Sequence, residues 1–285
     1  GSLYQIILHA NMRKLFTLLI FFLSVHQIQA QDIAAIQNAD EINPFLSSHF
    51  SNETIETFGY HNTSEAHSSQ WFKTDINMDG QLDLLVNGKI SAAFIIKNDG
   101  VKFIPLFRFV PLDGEYWFTS IDTTTSNTII RITPRSKAIQ HYGSDTISVV
   151  YDDFGFIEHK KNSTEKTFKA FKMKVLPCFG SCETFIFSIS EDGSVVNKSL
   201  DSDEINRIKI PSNEANNFFE ILNTLSLNSI TQPVLPSDQR LAKVTLTYSN
   251  GITYKFEDYG LGGSFTLRNL YNRVNYIRNE YGLQK

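Results

Sequence analysis

The sequence predicts an α+β fold, with a β-rich N-terminal half followed by a half in which an antiparallel sheet carries helices. Two patterns predict this fold. Short apolar segments separated by turn residues dominate from Trp71 onward, which is typical of antiparallel strands. The last third of the chain follows the order hairpin, helix, hairpin, helix, which favours helices layered on one sheet. No repeat of about 20–50 residues appears, so neither a propeller nor a solenoid is expected.

The first half begins with a loosely helical pattern from Asp32 to about Phe50, which Pro44 is expected to interrupt. A polar stretch predicts a loop before Trp71. Turn residues at 87–88 and 98–100 then separate short segments of high strand propensity. The predicted strands are 82–87, 91–97, 102–110, 115–121, 127–133, 146–151 and 167–175.

The second half has clearer periodicity. A hairpin is predicted around the turn at 191–193, and a second around Asn250-Gly251, a strong two-residue turn signal. Helices are predicted over 213–226, with Ser212 as N-cap, and from about Ser264 to the C-terminus. We therefore expect two domains after an N-terminal leader: residues 1–30 as leader, 31–165 as the β-rich domain and 166–285 as the α+β domain.

The N-terminus has the pattern of a secretory signal peptide. From Met12 the chain has two basic residues, then an apolar run, then a polar approach to Ala30. The apolar run is shorter than the roughly 20 residues that a membrane-spanning helix needs. We expect cleavage after Ala30, and a periplasmic or secreted protein with no transmembrane span. No cysteine directly follows the apolar run, so a lipid anchor is not expected. Residues 1–11 precede this Met12 and are not taken as part of the signal peptide.

Composition narrows the class of partner. The net charge of −4 becomes −6 without residues 1–30, because these contain two basic residues, Arg13 and Lys14, and no acidic one. A mildly acidic chain without a basic run argues against nucleic acid as partner. With 41% hydrophobic and 13% aromatic residues the chain can form a packed core. The expected partner is an envelope protein or a glycan.

Both cysteines of the chain, Cys178 and Cys182, lie in the stretch PCFGSC. In an oxidising compartment two cysteines tend to form a disulfide, and Gly180 between them can provide the turn that brings their Cα atoms within bonding range. Two alternatives stay open. A CxxxC pair could bind Cu(I) if a third ligand were present, and a thiol-redox pair is conceivable, although such pairs more often have CxxC spacing.

The strongest chemical motif is DINMDGQLD, residues 75–83. Its oxygen-bearing side chains occupy positions 1, 3, 5, 7 and 9 of a calcium loop: Asp75, Asn77, Asp79, Gln81 and Asp83. Gly80 takes position 6, where such loops turn sharply, and calcium prefers this kind of hard oxygen ligand. Position 12 is Val86, so the loop is not an EF-hand. It resembles the calcium loops of FG-GAP and dockerin-type segments; the alternative is a solvated acidic turn.

Three segments of the second half resemble a family of uncharacterised bacterial envelope and secreted proteins, the domain of unknown function 6438. They are PCFGSCETFIFSISEDGSV at 177–195, VTLTYSNGITYKFEDYG at 244–260, and GLGGSFTLRNLYNRV at 260–274. The chain departs from the family pattern at Glu183, where proline usually follows the second cysteine. This departure weakens a copper site inferred from CxxxCP proteins. The resemblance implies architecture and export, and it implies no mechanism.

Other motifs indicate little chemistry. Gly260, Gly262 and Gly263 precede the last helix and could hold an anion on free N–H groups, but the spacing matches no known phosphate loop and favours a tight strand-to-helix connection. Neither a GxSxG elbow nor an HExxH helix occurs in the sequence. We therefore expect a non-enzymatic binding or structural protein with one calcium and one disulfide. The alternatives are a hydrolase whose site combines distant residues, and a copper- or thiol-handling protein.

Overall fold

The structure is a computed structural model and describes residues 33–51, 70–87, 91–97, 100–105, 116–124, 127–134, 146–159, 167–178, 182–202, 204–227, 240–261 and 263–284. The chain divides into two compact units, Gly1–Pro105 and Leu106–Lys285. The boundary predicted at 160–166 and the leader at 1–30 lie outside the described residues. Within the described residues, no helix is long and apolar enough to cross a membrane.

The first unit is an antiparallel four-stranded meander with helices on one face. Its strands are β1 (Trp71–Thr74), β2 (Asp83–Val86), β3 (Ala92–Lys97) and β4 (Gly100–Pro105), in that spatial order. β2 is buried throughout, and β3 is buried up to its last residue. Both strands pack against helix α1 (Ile42–His49), which buries Ile42, Phe45 and Leu46. Pro44 lies in the first turn of α1, where a missing N–H costs nothing, so the expectation that it interrupts the helix was wrong.

The second unit contains two antiparallel sheets. The smaller sheet has β5 (Tyr116–Asp122), β6 (Ile129–Pro134), β7 (Ile147–Asp152) and β8 (Gly155–Glu158), in sequential order. The larger sheet has β9 (Phe168–Leu176), β10 (Phe185–Ser190), β11 (Ser194–Ser199), β12 (Ile205–Lys209), β13 (Leu241–Tyr248) and β14 (Thr253–Tyr259). Its order is β12-β11-β10-β9-β13-β14. The two predicted hairpins therefore join through β9 at the centre.

Two helices cover one face of the larger sheet. They are α2 (Ser212–Thr224) and α3 (Phe265–Glu280), and their apolar side chains share one core with those of the strands. The helix predicted to start at about Ser264 begins at Phe265, and its N-cap is Ser264, whose Oγ accepts the N–H of Leu267 at 3.1 Å. The prediction for α2 was wrong by one residue, because Ser212 is the first helical residue and Pro211 precedes it.

Two glycine turns set the hairpins of the larger sheet. Gly251 has φ +84°, and the Asn250 side chain accepts the N–H of Ile252 at 3.0 Å, which closes the predicted turn. Gly193 has φ +82°, and a Cβ there would lie 2.7 Å from the carbonyl oxygen of Ile210. The predicted α+β class with antiparallel sheets is confirmed. Three short strands, β1, β8 and β12, were not predicted, because four or five residues carry too little alternation to detect.

Candidate functional site

The calcium-type motif forms the loop of the β1–β2 hairpin. The carboxylate of Asp75 accepts two backbone N–H groups, that of Asp79 at 3.1 Å and that of Gly80 at 2.8 Å. The Asn77 oxygen accepts the same Asp79 N–H at 3.2 Å, and Asp79 accepts the Gln81 N–H at 2.9 Å. Each side chain is thus hydrogen-bonded to backbone two to five residues further along, which curls the loop around its own oxygen atoms.

Two residues with positive φ make this curl possible. Gly80 has φ +85°, and a Cβ added there would meet no atom within 4 Å, while Met78 has φ +61° with its side chain 56% exposed. A methionine with positive φ is unusual, and here the hydrogen bonds of the loop hold the backbone in this conformation. The sharp turn predicted at position 6 of the motif is therefore present.

Asp83 anchors the end of the loop inside the sheet. Its side chain is fully buried, and its two oxygens accept the N–H groups of Ile76 at 2.8 Å and Ile96 at 2.7 Å. Burial raises the pKa of Asp83 to about 6, with a further contribution from the negative charge of Asp79. A buried carboxylate whose negative charge is repelled by that of a second carboxylate is an environment in which a cation is favourable.

The loop contains the donor set for calcium, although its carboxylates do not converge on one point. Among the described residues, no three His, Cys, Asp or Glu side chains form a group that could hold a metal ion. Asn77 instead donates an amide hydrogen to Asp79 at 2.8 Å. The five motif side chains nevertheless offer oxygen, which fits a hard cation and does not fit copper or zinc.

The cysteines form a disulfide, which confirms the predicted pairing. The Cα atoms of Cys178 and Cys182 are 5.7 Å apart, within the usual range. Both cysteines of the chain are therefore paired, and a copper or thiol-redox role would first require reduction. Gly180, which was expected to supply the turn, lies outside the described residues.

The residue directly after the disulfide, Glu183, forms an ion pair with a buried arginine, Arg278. Glu183 accepts two hydrogen bonds from the guanidinium group of Arg278, one of them at 3.2 Å. The Arg278 side chain is only 1% exposed, and its Nε donates to the side chain of Asn197 at 3.0 Å. The guanidinium carbon lies 3.5 Å from the centre of the Phe185 ring, a favourable cation–π position. Glu183, the residue directly after the second cysteine, is thus the partner of a buried arginine.

In the glycine loop, the backbone N–H groups of Gly260 and Gly263 donate to acceptors within the protein. Gly263 donates its N–H to Asp258 at 3.1 Å, and Asp258 also accepts the hydroxyl of Tyr271 at 2.9 Å. Gly260 donates to the carbonyl oxygen of Arg240 at 2.8 Å, and Gly262 lies outside the described residues. The N–H groups of Gly260 and Gly263 therefore already have acceptors within the chain.

The N-terminus of α3 has a similar arrangement. The N–H groups of Phe265 and Thr266 donate to the two carboxylate oxygens of Glu158, at 2.8 and 2.9 Å. Glu158 is on β8 and is 8% exposed. A carboxylate at a helix N-terminus satisfies two free donors and interacts favourably with the helix dipole. This contact joins the smaller sheet to the last helix.

A polar cleft of about 410 Å³ lies between the two helices and the β7–β8 turn. Its base includes Arg273, which is 7% exposed and binds both oxygens of Asp152 at 2.6 and 2.7 Å. The other lining residues are Asp153, Phe154, Asn213, Glu214, Asn217, Phe218, Tyr276 and Ile277. This lining contains carboxylates but no histidine, so the usual pairing of nucleophile and base is not found there.

The features above define an antiparallel α+β chain with an aspartate-rich hairpin loop and one short disulfide. Within its second unit, residues 169–278 match the model of the family described as "Domain of unknown function (DUF6438)". The matched segment runs from β9 into α3 and so includes the larger sheet and α2, which confirms the resemblance drawn from the sequence. Comparison with curated proteins and with solved structures found no match.

Proposed function

We propose that this protein is an exported bacterial envelope protein with a non-enzymatic binding or structural role. One calcium ion in the loop 75–83 and one disulfide would support its fold. The observation that supports calcium is the hairpin loop itself. Its alternate side chains all carry oxygen, it turns at Gly80 with φ +85°, and it ends in the buried carboxylate of Asp83. Export is inferred from the signal-peptide pattern, and the disulfide is consistent with an oxidising compartment.

The ligands would be Asp75, Asn77, Asp79 and Asp83, with the backbone carbonyl of Gln81 at position 7. The carboxylates of Asp75, Asp79 and Asp83 repel one another, and a bound cation would offset this repulsion. The backbone hydrogen bonds already hold Asp75 and Asp79 in the loop. Binding would then require side-chain rotations, including an Asn77 rotation that turns its oxygen inward, and little backbone movement.

The proposed role of calcium is structural. Asp83 is hydrogen-bonded to Ile76 in the loop and to Ile96 on β3. A cation on this carboxylate would therefore tie the loop to two strands at once. Extracellular calcium modules bind with dissociation constants of about 0.1–1 mM, which suits a site that is permanently filled outside the cytoplasm.

The test is calcium titration of the mature, oxidised protein by calorimetry, together with urea unfolding in EDTA and in about 10 mM calcium. One site is expected, and this calcium concentration should raise the free energy of unfolding by about 1.4–2.7 kcal/mol at such affinities. The variant Asp75→Asn/Asp79→Asn should lose both effects. Asp192→Asn is the matched control, because Asp192 also precedes a turn glycine with positive φ, Gly193.

A calcium-induced stabilisation that persists in Asp75→Asn/Asp79→Asn would contradict the assignment, as would the lack of any calcium binding by the wild type. Export is tested separately by expressing the chain from Met12 in a bacterium and measuring the mass of the periplasmic product. The expected product begins at Gln31 and lacks two hydrogens relative to the reduced chain. A product that retains residues 12–30 in the cytoplasm would contradict export.

A further inference from the structure

The larger sheet of the second unit has one face on the helices and a second face whose side chains are exposed or half-buried. Along β9, the residues Phe171, Met173 and Val175 are buried in the core, so the alternate positions point to the other face. We call this other face the basic sheet face. Its basic strand residues, on five of the six strands, are Lys172, Lys174, Lys198, Arg207, Lys209, Lys243 and Lys255.

The strand register brings these positive charges close together. Lys174 on β9 lies directly opposite Lys243 on β13, and Lys172 follows two positions away on the same face. Neighbouring strands are about 4.8 Å apart and alternate residues about 7 Å apart. Like charges directly opposite one another destabilise a sheet, so this arrangement has a cost to folding. A role in binding would account for that cost.

The charge of this face is opposite to that of the chain. The seven positions are drawn from 26 basic residues in a protein of net charge −4, whereas 30 residues are acidic. Among the outward-facing strand positions, the acidic residue is Glu257, which pairs with Lys243 at 2.7 Å. The face is therefore a concentrated positive region on an acidic protein, and it is complementary to a polyanion.

We propose that the basic sheet face binds a linear acidic polysaccharide through its carboxylate groups. This inference rests on the binding role proposed above and names the class of partner. A flexible linear chain suits the shape of the surface. Each strand is rotated by about 20–25° from the next, so six strands turn by about 100–125°. A flat bilayer would meet only part of such a surface, whereas a linear polymer can follow the lysines from strand to strand.

The uncharged residues on this face favour an acidic glycan over nucleic acid. Single-stranded nucleic acids bind to sheets through stacking on exposed aromatic rings. On the central described strands β9, β10, β11 and β13, the outward positions carry lysine, serine, threonine and aliphatic side chains. The basic sheet face would consequently recognise its ligand by charge. Lysine side chains suit the binding of carboxylates on a flexible polymer, because each presents a mobile point charge.

The experiment measures binding of oligogalacturonate to the full mature chain by fluorescence anisotropy. It is done in EDTA, so that neither the glycan nor the loop 75–83 holds calcium. Binding is expected at low salt and should weaken as sodium chloride is raised, because exposed charges are screened. The matched ligand is the same oligosaccharide with methyl-esterified carboxylates, which has the same sugar rings without the charge and should not bind.

The matched protein variants are Lys172→Gln/Lys174→Gln on the basic sheet face and Arg131→Gln on β6, whose side chain is 49% exposed. Removing each lysine should weaken binding by about three- to fivefold, so the double variant should lose about tenfold or more. Arg131→Gln should leave the affinity unchanged. Because Lys174 faces Lys243, its replacement should not lower stability, which separates lost binding from lost folding.

Equal affinity of wild type and Lys172→Gln/Lys174→Gln would overturn the proposal. So would binding of a DNA oligonucleotide or of anionic vesicles by a wild type that does not bind oligogalacturonate. The result is independent of the calcium site: Asp75→Asn/Asp79→Asn should keep full glycan affinity. A failure of glycan binding with intact calcium binding would therefore refute this inference alone.

Discussion

Glu158 provides the sharpest test of how the second unit is held together. Its carboxylate accepts the N–H groups of Phe265 and Thr266 at the start of α3, at 2.8 and 2.9 Å, from a position that is 8% exposed. The perturbation is Glu158→Gln, which keeps the shape of the side chain, removes its charge and turns one acceptor oxygen into a donor. That donor would then face a backbone N–H.

The magnitude follows from the contacts. A hydrogen bond to a charged group contributes about 1.5–3 kcal/mol, and a buried donor left without a partner costs about 1–3 kcal/mol. Loss of a negative charge at a helix N-terminus adds about 0.3–1 kcal/mol. Since these contributions overlap, Glu158→Gln should lower the free energy of unfolding by about 2–3 kcal/mol. Glu158→Ala, which leaves both N–H groups without an acceptor, should cost about 3–5 kcal/mol.

The assay is urea unfolding followed by circular dichroism, with amide hydrogen exchange of peptides from α3 to locate the loss. The control is Glu257→Gln, another strand glutamate whose ion pair with Lys243 is partly exposed and should contribute less than about 1 kcal/mol. If Glu158→Gln costs no more than Glu257→Gln, or if α3 keeps its protection from exchange, the carboxylate does not cap this helix and the reasoning fails.

Three further predictions concern turns, a buried carboxylate and the ion pair next to the disulfide. Gly193→Ala should destabilise by about 2 kcal/mol more than Gly251→Ala, because both glycines have positive φ but only the first has a backbone oxygen 2.7 Å from the added Cβ; equal losses in urea unfolding would contradict this. Since the pKa of Asp83 is raised from 3.8 to about 6, its ionisation lowers folded-state stability as pH rises between those values. In EDTA, Asp83→Asn should therefore gain up to about 3 kcal/mol relative to wild type between about pH 4 and pH 7, and a gap that does not vary with pH would refute the assignment. Glu183→Gln should cost about 1–2 kcal/mol in urea unfolding, because Arg278 is buried while Glu183 is 38% exposed and partly screened; a stability within about 0.3 kcal/mol of wild type would contradict this.

Local features of this protein were predictable because their signals lie within a few residues. The Asn250-Gly251 turn, the start of α3 near Ser264 and the Cys178–Cys182 pairing each involve positions at most four apart. The bounds of strands β3, β6 and β7 agree with the prediction to within two residues. In each case the conformation follows from side chains adjacent to the backbone that they shape.

The contacts at the candidate sites were less predictable. Aspartates at alternate positions indicated a calcium loop, but the burial of Asp83 depends on its bond to Ile96 on a different strand. The polar cleft and its Arg273–Asp152 pair were missed, since the two residues are 121 positions apart. No periodic pattern in a single sequence connects such residues, and acidic pairs are common in surface turns.

The antiparallel α+β class, the hairpin turns, the helix positions and the short disulfide could be predicted from the sequence, because propensity, alternation and spacing act over a few residues. Three features became visible only in the folded chain: which strands neighbour one another, that Glu158 caps a helix 107 residues away, and that Glu183 pairs with Arg278. The same holds for the lysines on separate strands that share one face. These outcomes depend on strand register and on the burial of charge, which are set when distant segments pack together.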